Sequence, residues 1–301
     1  MKVAKFFLGS LIVVLIGMLV LHWFVPTEDI EFGIEKSSNF SLNGNKVLMQ
    51  FYENMRFPEN KISYSISDAC SIKKKYDMRW AFNIIENKTI LEFYELGEMG
   101  QIIVDCDNKN RIENGLFIAG EGGPTNITKG ENFNVILNGQ ILLIKESECE
   151  RPNVAVHELL HVLGFNHSDN PNNIMYPISK CTQILGDEIP SEIDRLYSVS
   201  SLPDLMMRDV SAKMHGRYLD LNISIFNDGL RKAEKSKLII YADDKKIKQF
   251  ELNELNIGTG INMKLTNLLL TKIKIEKLNI SLESDMTELS LENNRLLLTK
   301  I

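Results

Sequence analysis

The stretch that most constrains this chain is "HELLHVLGFNH", His157 to His167, which holds three of the chain's five histidines. Pro152 stands at a helix-start position and Gly164 at a helix-stop position. In a helix, His157 and His161 are four residues apart and lie on one face, one turn above the other. Two imidazoles so placed can share one metal ion, and Glu158 beside the first can reach a water on that ion. Had the helix continued, His167 would lie about 9 Å further along the axis and about 240° around from His161. It could then not join the other two. The chain must therefore leave the helix and come back, and glycine at 164 is the residue that adopts the left-handed conformation ending a helix. Three imidazoles with an open fourth position are the donor set of a catalytic zinc rather than a structural one.

The rest of the chain sets the frame for this segment. With 301 residues it is long enough for two domains. Thirty-four basic residues against 40 acidic ones leave a net charge of −6, which argues against a nucleic-acid partner. Phe6 to Val25 carries no charge, follows Lys2 and Lys5, and is long enough to cross a lipid membrane as a helix. Residues 1–25 are therefore expected as a signal-anchor, with the remainder outside the cytoplasm; a cleaved signal peptide would give a secreted protein. Residues 26–54 are polar and weakly patterned and read as a stalk.

From residue 55 to 200 the elements alternate. "KISYSIS", "KTILEFYEL" and "GQIIVDC" read as strands. "SIKKKYDMRWAFNIIEN" reads as a helix with Ile72, Tyr76, Trp80 and Ile84 on its apolar stripe. "FNVILNGQILLI" is apolar on both sides of Asn138-Gly139, the signal of a hairpin turn. "PSEIDRLYSVS" reads as a further helix. Residues 203–301 consist of short alternating segments between turn residues, as in a small antiparallel sandwich.

The histidine segment resembles the metzincin zinc metalloproteases, whose signature is HExxHxxGxxH followed by a methionine turn. Here "NIMYP" supplies Met175, and Ser168 after the third histidine is similar to the matrixin branch. The resemblance covers residues 55–200 and implies one catalytic Zn2+ held by His157, His161 and His167. It also implies Glu158 as general base, Met175 as an apolar floor beneath the ion, and a protein or peptide substrate. The tail, with "FNDG" and "LENN", resembles the cell-adhesion-related Ig-like (CARDB) domains of prokaryotic surface proteins, which implies a module for a surface partner. The expected fold class is thus an α+β metzincin-type domain, with a mixed sheet and an active-site helix. It follows a transmembrane helix and precedes an all-β sandwich. A non-enzymatic adhesin with a vestigial or structural metal site, and a zinc hydrolase of a non-peptide bond, are the alternative functions. Ca2+ at "DCDNKN" or "EGGP" has only acidic loop composition behind it. Cys70, Cys106, Cys149 and Cys181 all follow the apolar run, and an even count outside the cytoplasm suggests two disulfides. Three connectivities are open, as are four buried thiols. Cys70–Cys106 with Cys149–Cys181 is the preferred pairing, because Cys149 and Cys181 flank the helix and the methionine turn.

Overall fold

The computed structural model describes residues 11–17, 29–36, 49–107, 109, 111–113, 116–272 and 274–300. The chain forms two units. The histidine unit comprises residues 41–203 and 228–232; the sheet unit comprises residues 1–40, 204–227 and 233–301. The first strand, β1 (Ile30–Lys36), belongs to the sheet unit.

The histidine unit is built on β2 (Met55–Arg56), β3 (Lys61–Ile66), β4 (Glu92–Glu95), β5 (Ile102–Cys106), β8 (Gly120–Lys129) and β9 (Asn134–Leu143). Their order is β2-β9-β5-β3-β4, all parallel, with β8 antiparallel on β9. β6 (Arg111–Glu113) and β7 (Leu116–Ile118) form a separate pair. β3 is buried at four successive positions, as a strand inside a parallel sheet must be.

Helix α1 (Ile72–Glu86) starts at Ser71, whose hydroxyl accepts a hydrogen bond from Lys74 N at 3.3 Å. Its buried face is Lys74, Asp77, Met78, Ala81, Phe82 and Ile85, not the expected stripe. Ile72 is 89% exposed and Tyr76 61%. Met78, Ala81, Phe82 and Ile85 are the apolar part of that face and pack into the core, and Lys74 shares it because its buried ammonium donates to Asp107 O and Ile144 O at 2.9 Å each. Two strand ends present these carbonyls, so a lysine can face inward beside the apolar residues. Helices α2 (Asn153–Val162) and α3 (Glu188–Tyr197) complete the unit.

No hairpin forms at Asn138-Gly139. β9 runs straight through both residues. Gly139 N donates to Gln101 O at 2.9 Å, and Val162 of α2 packs where a β-carbon on Gly139 would lie. The glycine serves a close approach rather than a turn.

The sheet unit is one antiparallel, eight-stranded path, β13-β12-β15-β16-β1-β10-β11-β14. The strands are β10 (Leu205–His215), β11 (Tyr218–Asn227), β12 (Ser236–Ala242), β13 (Lys245–Leu252), β14 (Gly260–Leu269), β15 (Lys277–Glu283) and β16 (Arg295–Lys300). Leu221 on β11 and Leu238 on β12 lie far apart along this path yet share one buried cluster, so the sheet curls onto itself. Residues 30–36, expected within the stalk, supply the strand that joins β16 to β10. β1 does so mainly through its backbone: Phe32 is buried, but Ile34 is 53% exposed.

The expected fold class is therefore corrected. Strand residues far outnumber helical ones among the described residues, and the C-terminal sequence forms a curled sheet completed from the N-terminal side rather than a free-standing sandwich. The transmembrane helix is corrected too. Of Phe6 to Val25 only residues 11–17 are described, as helix, and the others lie outside the described residues. Among the described residues no helix is long and apolar enough to cross a membrane, which takes about 20 residues.

Candidate metal centre

Helix α2 is buried at every position, so its histidines sit inside the protein rather than on its surface. The helix ends in a Schellman motif. Gly164, with φ +97°, donates its N–H to His161 O, and Phe165 N donates to Leu160 O, both at 3.0 Å. Gly164 has a second reason to be glycine: a β-carbon there would stand 2.8 Å from Met55 Cβ. Beyond the glycine the chain reverses, and Asn166 Oδ1 accepts the N–H of His167 at 2.8 Å.

This brings the three imidazoles together. His161 Nε2 lies 3.0 Å from His157 Nε2 and 3.1 Å from His167 Nε2. His157 Nδ1 meets Ile174 O at 2.7 Å and His161 Nδ1 meets Phe165 O at 2.8 Å. A carbonyl only accepts, so each Nδ1 carries the proton and each Nε2 of this pair is a bare lone pair. Two lone pairs facing each other at 3.0 Å need a cation between them. The spacing is close to the roughly 3.3 Å edge of a tetrahedral site with Zn–N bonds of about 2.0–2.1 Å. His157, His161 and His167 can hold one metal ion, and among the described residues they are the only such cluster of His, Cys, Asp and Glu. Desolvation favours the neutral, ligating form of the rings, most for the buried His157 and His161 and least for the more exposed His167. It lowers the pKa of His157 and His167 below the usual value and takes His161 to about 4, with the neighbouring His157 adding to the effect there.

Glu158 points away from the helix interior towards β8. Burial pushes its pKa up to about 8, with the charge of Glu121 adding to the rise. Its carboxylate fits under Gly120: a β-carbon on that residue would stand 2.8 Å from Glu158 Cγ. Gly122 in the same strand packs on the Glu158 backbone. Met175 is fully buried, and Ser168 N donates to its carbonyl at 2.9 Å, which fastens the methionine segment to the end of the histidine loop. Disulfides join Cys70 to Cys106 and Cys149 to Cys181, and no cysteine is free. The second ties the segment before α2 to the one after Met175.

Asp107, in the stretch considered for Ca2+, accepts Lys109 N at 2.9 Å and lies 3.5 Å from Arg111. His215 hydrogen-bonds Asp29 in the sheet unit and does not join the cluster. Sequence reasoning missed three contributors: Gly120 and Gly122, whose contacts are long-range, and Phe51, whose ring stacks on His161 with centroids 5.7 Å apart.

Residues 56–197 match the matrixin family model. The match covers just under half of the chain and contains all three histidines, and it supports a zinc metallopeptidase function for the matrixin-like unit. No curated protein matches the chain. Among solved structures, a CARDB domain from Pyrococcus furiosus, crystallised in complex with di-metal ions, is similar over 33% of this chain and 88% of its own. The identity is 14% and the TM-score 0.27.

Proposed function

We propose that the protein is a zinc endopeptidase that hydrolyses peptide bonds in protein substrates, working outside the cytoplasm. The observation that carries this reading is the convergence of three imidazole nitrogens, two of them held proton-free by carbonyls at the opposite ring nitrogen, on a helix that also carries the buried Glu158. Zinc held by His157, His161 and His167 would supply a Lewis acid that lowers the pKa of water towards about 7 and polarises a carbonyl. Glu158 is the one carboxylate adjoining the cluster in sequence, and we assign it the role of general base. In this role it accepts the proton of the attacking water and passes it to the departing amine. The carbonyl oxygens of Ile174 and Phe165 orient two of the imidazoles, as outer partners do in metal sites. The compartment is argued from the two disulfides, which persist in oxidising surroundings.

The test is cleavage of an unfolded protein such as casein by the purified chain. Activity should vanish with a chelator and return with zinc. Glu158→Gln should bind zinc as the native chain does and lose roughly 10²–10⁴-fold in turnover. Equal cleavage by both proteins, or no cleavage by the zinc-loaded native chain, would refute the assignment.

A further inference from the structure

The Schellman turn leaves two backbone groups of the histidine loop without helical partners, Gly164 O and Asn166 N. Both are paired by the chain that precedes β2. Phe51 N donates to Gly164 O at 2.9 Å, and Asn166 N donates to Met49 O at 2.7 Å. Gln50 lies opposite Phe165 in an antiparallel bridge. The Gln50 side chain in turn braces Met55: its amide donates to Met55 O at 2.8 Å, and Met55 N donates back to its oxygen at 3.0 Å. Met55 is the residue that fills the space beside Gly164. Met49, Gln50 and Phe51, with Met55 braced by Gln50, thus hold the one turn that brings the third histidine home.

Phe51 adds a direct contact with a ligand. Its ring is tilted 27° from the plane of His161 and remains 40% exposed. A large apolar ring half in water contributes little to the core, yet it covers a buried imidazole whose Nδ1 is already fixed by Phe165 O. One short segment therefore restrains both the loop that carries His167 and the face of His161.

We propose that Met49–Phe51 is a clasp that positions the metal ligands, with Phe51 as the positioning residue for His161. This rests on the reading that the three histidines bind zinc. Three ligands must converge within a few tenths of an ångström, and His167 sits on a loop whose freedom must be lost when the ion binds. The clasp removes that freedom beforehand. Without it, zinc binding has to order the loop and the affinity falls.

The test uses the full chain and reads zinc affinity by competition with a chelator, together with thermal unfolding of the zinc-free protein. Phe51→Ala should weaken zinc binding about tenfold, the lower end of the loss seen for outer partners of metal ligands. Gln50→Ala should weaken it in the same direction. Phe51→Tyr, which keeps the ring, should restore native affinity. Tyr52→Ala, at an exposed neighbour outside the clasp, should leave affinity unchanged. The midpoint of the zinc-free protein should barely move in Phe51→Ala. Native affinity in Phe51→Ala, an equal loss in Tyr52→Ala, or a loss matched by a large drop in zinc-free stability would each overturn the proposal. A native chain that binds zinc with this clasp dependence but cleaves no peptide would leave the clasp standing and remove the peptidase assignment. A native chain that binds no zinc removes both.

Discussion

Gly120 and Gly122 stand two apart on β8 and face the same residue, so a methyl group added to each asks two different questions. A β-carbon on Gly120 would lie 2.8 Å from Glu158 Cγ, 2.9 Å from Oε1 and 3.1 Å from Cδ. Ordinary contact begins near 3.4 Å, so the carboxylate must retreat by about 0.6 Å, from 2.8 to 3.4. Misplacing a reacting group by about 1 Å can cost 10²-fold in rate. Gly120→Ala should therefore lower kcat/KM by roughly ten- to a hundredfold, which is about 1.4–2.7 kcal/mol of barrier. Its neighbour is the end of a flexible side chain, so the fold should lose less than about 1 kcal/mol. Zinc content should stay at the native level, because none of the atoms closest to the new methyl belongs to a histidine.

At Gly122 the added carbon would meet the Glu158 carbonyl group and lie 3.0 Å from its Cα. Helix backbone cannot step aside, so Gly122→Ala should destabilise the unit by about 3 kcal/mol, at the upper end for overpacking. That is a fall in Tm of roughly 6–12 °C. The assay is peptide cleavage with zinc saturated, beside calorimetry and zinc analysis. Native kcat/KM in Gly120→Ala, or native stability in Gly122→Ala, would show that β8 does not press on Glu158 as described.

Three further substitutions probe the scaffold. Gly164→Ala forces a side chain into φ +97° and into Met55, and should reduce both stability, by about 1–3 kcal/mol from the backbone strain alone, and zinc occupancy; a zinc titration and a melt read both effects. Replacing Cys149 and Cys181 with serine opens a link between residues 32 apart in sequence and should cost about 3–4 kcal/mol, measured by denaturant unfolding beside the native chain under non-reducing conditions. Arg56 is almost wholly buried and donates to four carbonyls, those of Phe57, Pro58, Leu196 and Val199. Arg56→Met leaves those of Phe57, Leu196 and Val199 without that donor, while Pro58 O keeps the Ser201 hydroxyl, and should destabilise the unit by about 3 kcal/mol; a midpoint within error of the native one would refute that accounting.

The local parts of the site were readable from residue order. Two histidines four apart share a helical face whatever surrounds them, and a glycine three residues later ends that helix by its own backbone freedom. β3, β4 and β5 were likewise readable as strands from the pattern of their own segments, because periodicity is a property of the segment alone. The failures occurred where a remote partner chose among local options. Lys74 faces inward because two carbonyls from distant strand ends receive its ammonium, so a lysine shares the buried stripe of α1 with Met78, Phe82 and Ile85 while Ile72 and Tyr76 face out. Asn138-Gly139 could turn, yet Val162 packs against the glycine and holds it in a straight strand. Residues 30–36 alternate Ile30, Phe32 and Ile34 with other residues, but one short alternating segment does not say what it pairs with, and their place in the sheet depends on backbone pairing with the distant β10 and β16. The ligand set thus follows from spacing along one segment. The setting of those ligands, with β8 pressed on Glu158 and Phe51 laid over His161, arises from contacts between residues far apart in sequence, and such contacts exist only once the chain has folded.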